Sequence, residues 1–443
     1  MATVNFKNIL THGFDEDAVT TNTAGEYLLN FGALTTTGDK ANGIFADANK
    51  VSAANFGRIE TSGLGAAGIY VEGADARIVN YGSVITHGDW LDEGDGFFSE
   101  GLFANGDRFY IANHGTIRVE GESSSAMVGA GEDGLAINFG LAESSATFSA
   151  VIAAFGARSQ AINRGQVTSS GESTGGMVVN GEDASALNLG TILMTGAASN
   201  GMAGDENSHL TNRGVIRFML DDTLGDPSFG MISIVGGSQL SNFGLIEMHG
   251  AFALAISALG RIPLGELGSD FEIVNAGRIT TDGDLAIGVA LGVGRFGLAN
   301  AENGQIDNRG VIGTVGDGAV GVLMIGDNHH LTNSGQITTD GGEVDGPLGL
   351  FRAAGVAVSG DGALVENTRT GVVESKNADS AAVELNVLDR DGLSNAGTSS
   401  TLENFGLIKG VAVAILGGEG QETVVNHGRI VGDVVLVPGI RVE

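Results

Sequence analysis

The sequence predicts an all-β fold: a right-handed parallel β-helix, or β-solenoid, of about 25 residues per coil, three short strands per coil and roughly 15 coils, with loops at two corners. Three observations predict it. The tripeptide Asn-x-Gly recurs from end to end, glycine is 74 of 443 residues beside only four prolines, and within a unit short alternating segments punctuated by glycine favour strands over helix. Handedness follows from the general chirality of parallel crossovers.

The Asn-x-Gly anchors start at Asn30, Asn55, Asn80, Asn113, Asn138, Asn163, Asn188, Asn212, Asn242, Asn275, Asn308, Asn333, Asn404 and Asn426, with a degenerate copy at Asn367. Their spacings are 25, 25, 33, 25, 25, 25, 24, 30, 33, 33, 25, 34, 37 and 22, so a 25-residue unit is lengthened at intervals by one short loop. A turn Asn repeated on every coil can stack its amide on its neighbours and satisfy turn carbonyls, and the Gly two residues later is expected to accept a positive φ.

Within one plain unit, three strand-like pieces alternate with glycine turns: Arg58–Thr61, Gly68–Glu72 and Arg77–Asn80. The fourth residue after the anchor is Ile or Val on most coils (Ile59, Val84, Ile117, Val167, Ile192, Ile216, Ile246, Ile279, Ile312, Ile337), which predicts an inward column. The fifth, mixed in charge and size, then points outward. The sixth, with Thr36, Thr61, Thr86, Ser169, Thr281, Thr314 and Thr339, shares the inward parity. Extra residues enter at two places only: eight or nine residues after the anchor in the Asn80, Asn212 and Asn333 units, and about eighteen to twenty-one after it in the Asn242, Asn275 and Asn367 units. In solenoids such corners often form the binding edge.

Neither end shows an amphipathic capping helix. The expected division is an N-terminal cap or first coil over 1–29, repeats over 30–425, and a last coil with a C-terminal strand over 426–443. Fifteen rungs at about 4.8 Å would give a rod on the order of 70 Å, whose open ends could meet head to tail in a homopolymer.

Composition excludes several functions. With 22 Lys and Arg against 53 Asp and Glu, the net charge is −31, which disfavours nucleic-acid binding by phosphate neutralisation. No apolar run is long enough to span a bilayer and no basic-then-apolar leader opens the chain, so neither membrane insertion nor signal-peptide export is expected. The absence of cysteine rules out disulfides and thiolate sites and suits a chain exported unfolded.

Ligand chemistry concentrates in the loop after Asn80. Trp90, the only tryptophan, stands with Asp92, Asp95, Phe97 and Phe98, a set able to stack on a sugar ring or to hold Ca²⁺. Asp221, Asp222 and Asp226 are the best carboxylates for a glycosidase, and Arg261 or Arg295 for a lyase, but nothing in the pattern faces them with a partner. The scattered histidines, including the pair His329-His330, read as solvated turn residues.

The units of Asn-x-Gly-x-Ile, Gly-rich turn and Ala-Gly-Ile-type strand resemble the β-solenoid regions of bacterial autotransporter adhesin passengers and of RTX (hemolysin-type calcium-binding) secreted proteins. The segment 417–425, Gly-Gly-Glu-Gly-Gln-Glu-Thr-Val-Val, is similar to the RTX nonapeptide, with Glu422 where that family has Asp, and this likeness implies Glu419 and Glu422 as Ca²⁺ ligands. The resemblance also implies an extracellular or cell-surface location, reached without an N-terminal signal. The expected function is a non-catalytic structural or adhesive surface protein that requires no cofactor, with Ca²⁺ and a surface glycan as candidate ligands. The alternative is a phage tailspike-like or polysaccharide-binding β-helix with depolymerase activity.

Overall fold

The computed structural model describes residues 2–91, 98–220, 225–259, 268–294, 297–298, 301–346, 349–386, 398–418, 420–436 and 441–442. Among them every helix or strand is a strand, and no helix is long and apolar enough to cross a membrane. Two compact units divide the chain, Met1–His209 and Leu210–Glu443.

In the first unit each coil has an anchor strand ending on Asn, a following strand after the Asn-x-Gly turn, and a third strand. For one coil these are Ser52–Asn55, Arg58–Thr61 and Ile69–Glu72. Each pairs in parallel with its counterpart one coil on: Arg77–Asn80, Ser83–Thr86 and Leu102–Asn105. The second unit repeats the scheme, with Glu272–Asn275 on Gln305–Asn308, Arg278–Asp282 on Val311–Val315, and Ile287–Leu291 on Val320–Asp327. The chain is therefore a right-handed parallel β-helix in each unit.

Strand alternation fills the interior with small and aliphatic side chains. The predicted inward column, from Ile59 to Ile337, is fully buried, and so is the hydroxyl column of Thr36, Thr61, Thr86, Ser169, Thr281, Thr314 and Thr339. Thr36 and Thr61 donate to the carbonyls of Ala41 and Ala66 across the next corner and so satisfy a turn that the core has closed off from water, whereas the hydroxyls of Thr86 and Thr281 have no partner among the described residues.

The anchor amides form a hydrogen-bonded ladder. In the first unit each Nδ2 donates to the Oδ1 of the next anchor, Asn5 to Asn30, Asn55, Asn80, Asn113, Asn138, Asn163 and Asn188 in succession, at 2.8–3.0 Å. In the second unit the run is Asn212, Asn242, Asn275, Asn308, Asn333, Asn367, Asn404 and Asn426, at 2.8–2.9 Å. On many coils the Oδ1 also holds its own turn, as where Gly57 N donates to Asn55.

The glycine of the anchor serves a different purpose from the one expected. Gly57 is not in the left-handed region. A Cβ there would lie 2.0 Å from the carbonyl oxygen of Gly32 on the rung before, so the turn needs glycine because successive turns stack too closely for any side chain. Positive φ belongs to the other two corners: Gly65 (63°) lies between the following and third strands, and Gly73 (133°) and Asp75 (59°) lead into the next anchor strand.

A whole coil precedes Asn30. Ala2–Asn5, Ile9–Thr11 and Val19–Thr21 pair with Tyr27–Asn30, Ala33–Thr36 and Ile44–Asp47, and Asn5 is its anchor. Two insertions are antiparallel hairpins, Val293–Gly294 with Gly297–Leu298 and Glu343–Gly346 with Gly349–Arg352. The shortest unit, 404–426, loses a corner: Leu407–Gly417 runs unbroken and pairs with both Val372–Ser375 and Ala381–Leu385.

Candidate functional site

On the third-strand face of the first unit, alternation sends Ile44, Ala46, Ile69, Val71, Leu102 and Ala104 inward and leaves the residues between them outside. Parallel register then stacks Phe45, Tyr70 and Phe103 into one outward column. Their ring centroids are 5.3 Å apart for the first pair, tilted at 58°, and 4.9 Å for the second, stacked at 17°. Beside this wall the register aligns Asp47, Glu72 and Asn105.

A cavity of about 440 Å³ opens against these rings, within the range of small-ligand sites. Phe98 closes one side, and Asp15, Lys40, Asn42, Glu72 and Asn105 supply charge and amide around it. The Tyr70 hydroxyl donates to Glu72 at 3.2 Å, and burial, reinforced by the Glu72 charge, pushes the phenol up to about 12, so Tyr70 stays a neutral donor at any physiological pH.

The loop singled out in the sequence meets this cavity. Trp90, exposed, stacks on Phe98 with centroids 6.3 Å apart, and Phe98 lines the cavity. The loop is pinned at its base, where Asp89 accepts from the Glu122 amide at 2.8 Å and Ser99 donates to the Asp89 carbonyl at 2.9 Å. Asp92, Asp95 and Phe97 lie outside the described residues, as do Asp221, Asp222, Arg261, Arg295 and Glu419. Asp226 is exposed. Glu422 sits in the anchor strand Gln421–Asn426 with its side chain buried; Oε1 accepts from Asn386 at 3.3 Å, Oε2 has no partner among the described residues, and burial raises its pKa. No group of three or more His, Asp or Glu able to hold a metal occurs among the described residues.

A second internal ladder beneath the cavity escaped the sequence reading. Twelve residues after Asn5 and Asn30 stand Asp17 and Asn42. Asp17 Oδ1 accepts from the Asn42 amide and backbone at 2.9 and 2.7 Å, and Asn42 Oδ1 accepts from Ala67 N at 2.8 Å. Burial lifts the Asp17 carboxyl to about 6. Farther along the same corner Glu100, fully buried, accepts from Ser125 N, and burial raises it to about 8. The signal lay in that fixed offset, concealed at Glu100 by the inserted loop.

Several basic side chains elsewhere on the surface pair with acids of neighbouring rungs: Arg118 with Glu143 at 3.0 Å, Arg158 with Asp133 at 2.7 Å, and His87 with Glu120 at 2.7 Å. His329, expected in solvent, is instead buried. Its Nδ1 accepts from Gly304 N at 3.0 Å, its Nε2 donates to the Ile325 carbonyl at 3.2 Å, and burial holds its pKa below the ordinary histidine value.

The BigA third pectate lyase-like domain matches the chain twice, over residues 2–147 and 141–253, together more than half its length. No curated protein and no solved structure gives a significant match. The matched stretch contains the aromatic cavity and ends before the RTX-like segment at 417–425.

Proposed function

The chain belongs to the BigA third pectate lyase-like domain family, and from that we propose a surface-exposed, adhesin-type β-helix that captures saccharide without cleaving it. The aromatic cavity carries this reading. A wall of Phe45, Tyr70 and Phe103 beside Asp15, Lys40, Asn42 and Glu72 offers apolar contact for the C–H face of a sugar and hydrogen-bonding groups for its hydroxyls.

The test is retention of the chain on immobilised glycans, compared with Tyr70→Ala and Phe98→Ala. Binding that weakens about tenfold in both variants, with no shortening of the polysaccharide, is expected. Undiminished binding by the variants, or release of new chain ends, would sink the reading.

Head-to-tail assembly is a second proposal, favoured by the anchor ladder, whose last rung among the described residues, Asn426, accepts from Asn404 at 2.8 Å and is exposed. Electron microscopy with and without millimolar Ca²⁺, which would screen the acidic surface, decides it by the presence or absence of filaments.

A further inference from the structure

We infer that a groove of about 300 Å³ on the following-strand face of the second unit is a separate saccharide site, shaped for a neutral, hydroxyl-rich chain of about two sugar units. The inference rests on the reading of this protein as a saccharide binder and places a site where none was expected.

The groove arises from a gap in a charged column. Register on this face aligns the outward residues Arg217, Glu247, Thr280, Gly313, Thr338, Glu374 and Lys409. Arg217 pairs with Glu247 at 2.6 Å at one end, and Lys409 with Glu374 at 2.7 Å at the other. Between the pairs lie three neutral rungs, Thr280, Gly313 and Thr338. Gly313 lacks the side chain that would fill the middle, so two hydroxyls about 10 Å apart, two rung spacings, flank an open floor. That separation suits a disaccharide.

The rim adds the matching chemistry. Asp282 is fixed by His249, whose Nδ1 lies 2.8 Å from either carboxylate oxygen. Asp340 and Lys376 are exposed and make no side-chain hydrogen bond or ion pair among the described residues, leaving an acceptor and a donor for ligand hydroxyls. Val315, 54% exposed, gives an apolar contact between the acids. Other occupants fit poorly. Asp282 and Asp340 repel an anion and stand two rungs apart, too far to share a cation, and the following strands here are hydrogen-bonded on both edges, which leaves no backbone for an added strand.

The experiment titrates cellotetraose, maltotetraose and chitotetraose into the full chain and follows methyl NMR signals of Thr280, Val315 and Thr338. At least one sugar should shift all three saturably, and Gly313→Gln should weaken that binding at least tenfold. The variant should fold, because an added Cβ meets only Thr338 Oγ1 at 3.6 Å, and the same outward position holds Arg118 and Arg217 on other coils. A joint Asp340→Asn, Lys376→Ala variant should weaken binding likewise without touching the floor. Absence of shifts with all three sugars, or equal affinity in Gly313→Gln, overturns the inference. Shifts confined to residues around Tyr70 overturn it while sparing the aromatic cavity; shifts confined to the groove uphold it while removing the cavity from the proposed function.

Discussion

The two units share their inner columns and differ in their outer ones. In both, the anchor amides form a ladder and the column four residues on is, on most coils, buried Ile or Val. Outside, the first unit carries a stack of six rings at the middle position of the anchor turn, Phe6, Phe31, Phe56, Tyr81, His114 and Phe139, at centroid spacings of 4.6–5.1 Å. In the second unit that position holds Arg213, Phe243, Ala276, Arg309, Ser334 and Thr368 before an aromatic pair returns at Phe405 and His427. The fold depends on repetition inside; recognition is free to vary outside, and each unit has built its own kind of concavity there.

If the inner machinery is common, breaking it should cost the same in either unit. Gly57→Ala in the first and Gly310→Ala in the second each drive a Cβ to 2.0–2.1 Å from a backbone oxygen. Each should lose on the order of 4 kcal/mol in denaturant unfolding, whereas Gly313→Ala, on the outer surface, should stay within about 0.5 kcal/mol. Next in size, Asn113→Ala and Asn308→Ala each strand two neighbouring amides and should each lose about 2–3 kcal/mol.

The pH response sharpens the comparison. Burial raises Glu100 in the first unit to about 8 and Glu384 in the second to about 7, from an ordinary 4.5. Between these values the folded chain holds protons that the unfolded chain has lost. The contribution to stability is thus full below about pH 4.5 and declines as pH rises through the folded pKa, by up to about 1.4 kcal/mol per pH unit per group. Peptide-resolved hydrogen exchange should show the first unit losing protection up to about pH 8 and the second only to about pH 7, with Glu100→Gln and Glu384→Gln flattening their own unit alone. Smallest of all, Arg118→Gln and Arg217→Gln each remove one exposed ion pair and should change stability by less than about 1 kcal/mol.

What the sequence made legible follows the same division. Inner columns must repeat, so Asn and Ile at fixed intervals disclosed the coil, its strands and its two loop-bearing corners. Asn5 was missed because Lys7 occupies the place of the anchor glycine, which the first coil tolerates with no earlier turn packed on it among the described residues. His329 was misread because its burial depends on the Gly304 amide, 25 residues away in sequence and one rung away in space. Of the candidate site, Trp90 was found as the only tryptophan and Phe98 as its companion in the same inserted loop. Phe45, Tyr70 and Phe103 were not: the intervals between them are 25 and 33 residues, and only the coil register, with its inserted loop, makes neighbours of them.

The anchor ladder has a direction. Within each unit every Nδ2–H points toward the coil of higher number and every Oδ1 toward the lower, so the side-chain amides lie head to tail as a single file of dipoles. A backbone amide carries about 3.5 D, and aligned amides polarise one another, so each coil strengthens the pull on the next. Among the described residues the ladder of the first unit sets out from Asn5, which donates to Asn30, and that of the second arrives at Asn426, which accepts from Asn404. The array is therefore vectorial: a coil added to the high-numbered pole must present an oxygen, and one laid on in reverse would set donor against donor.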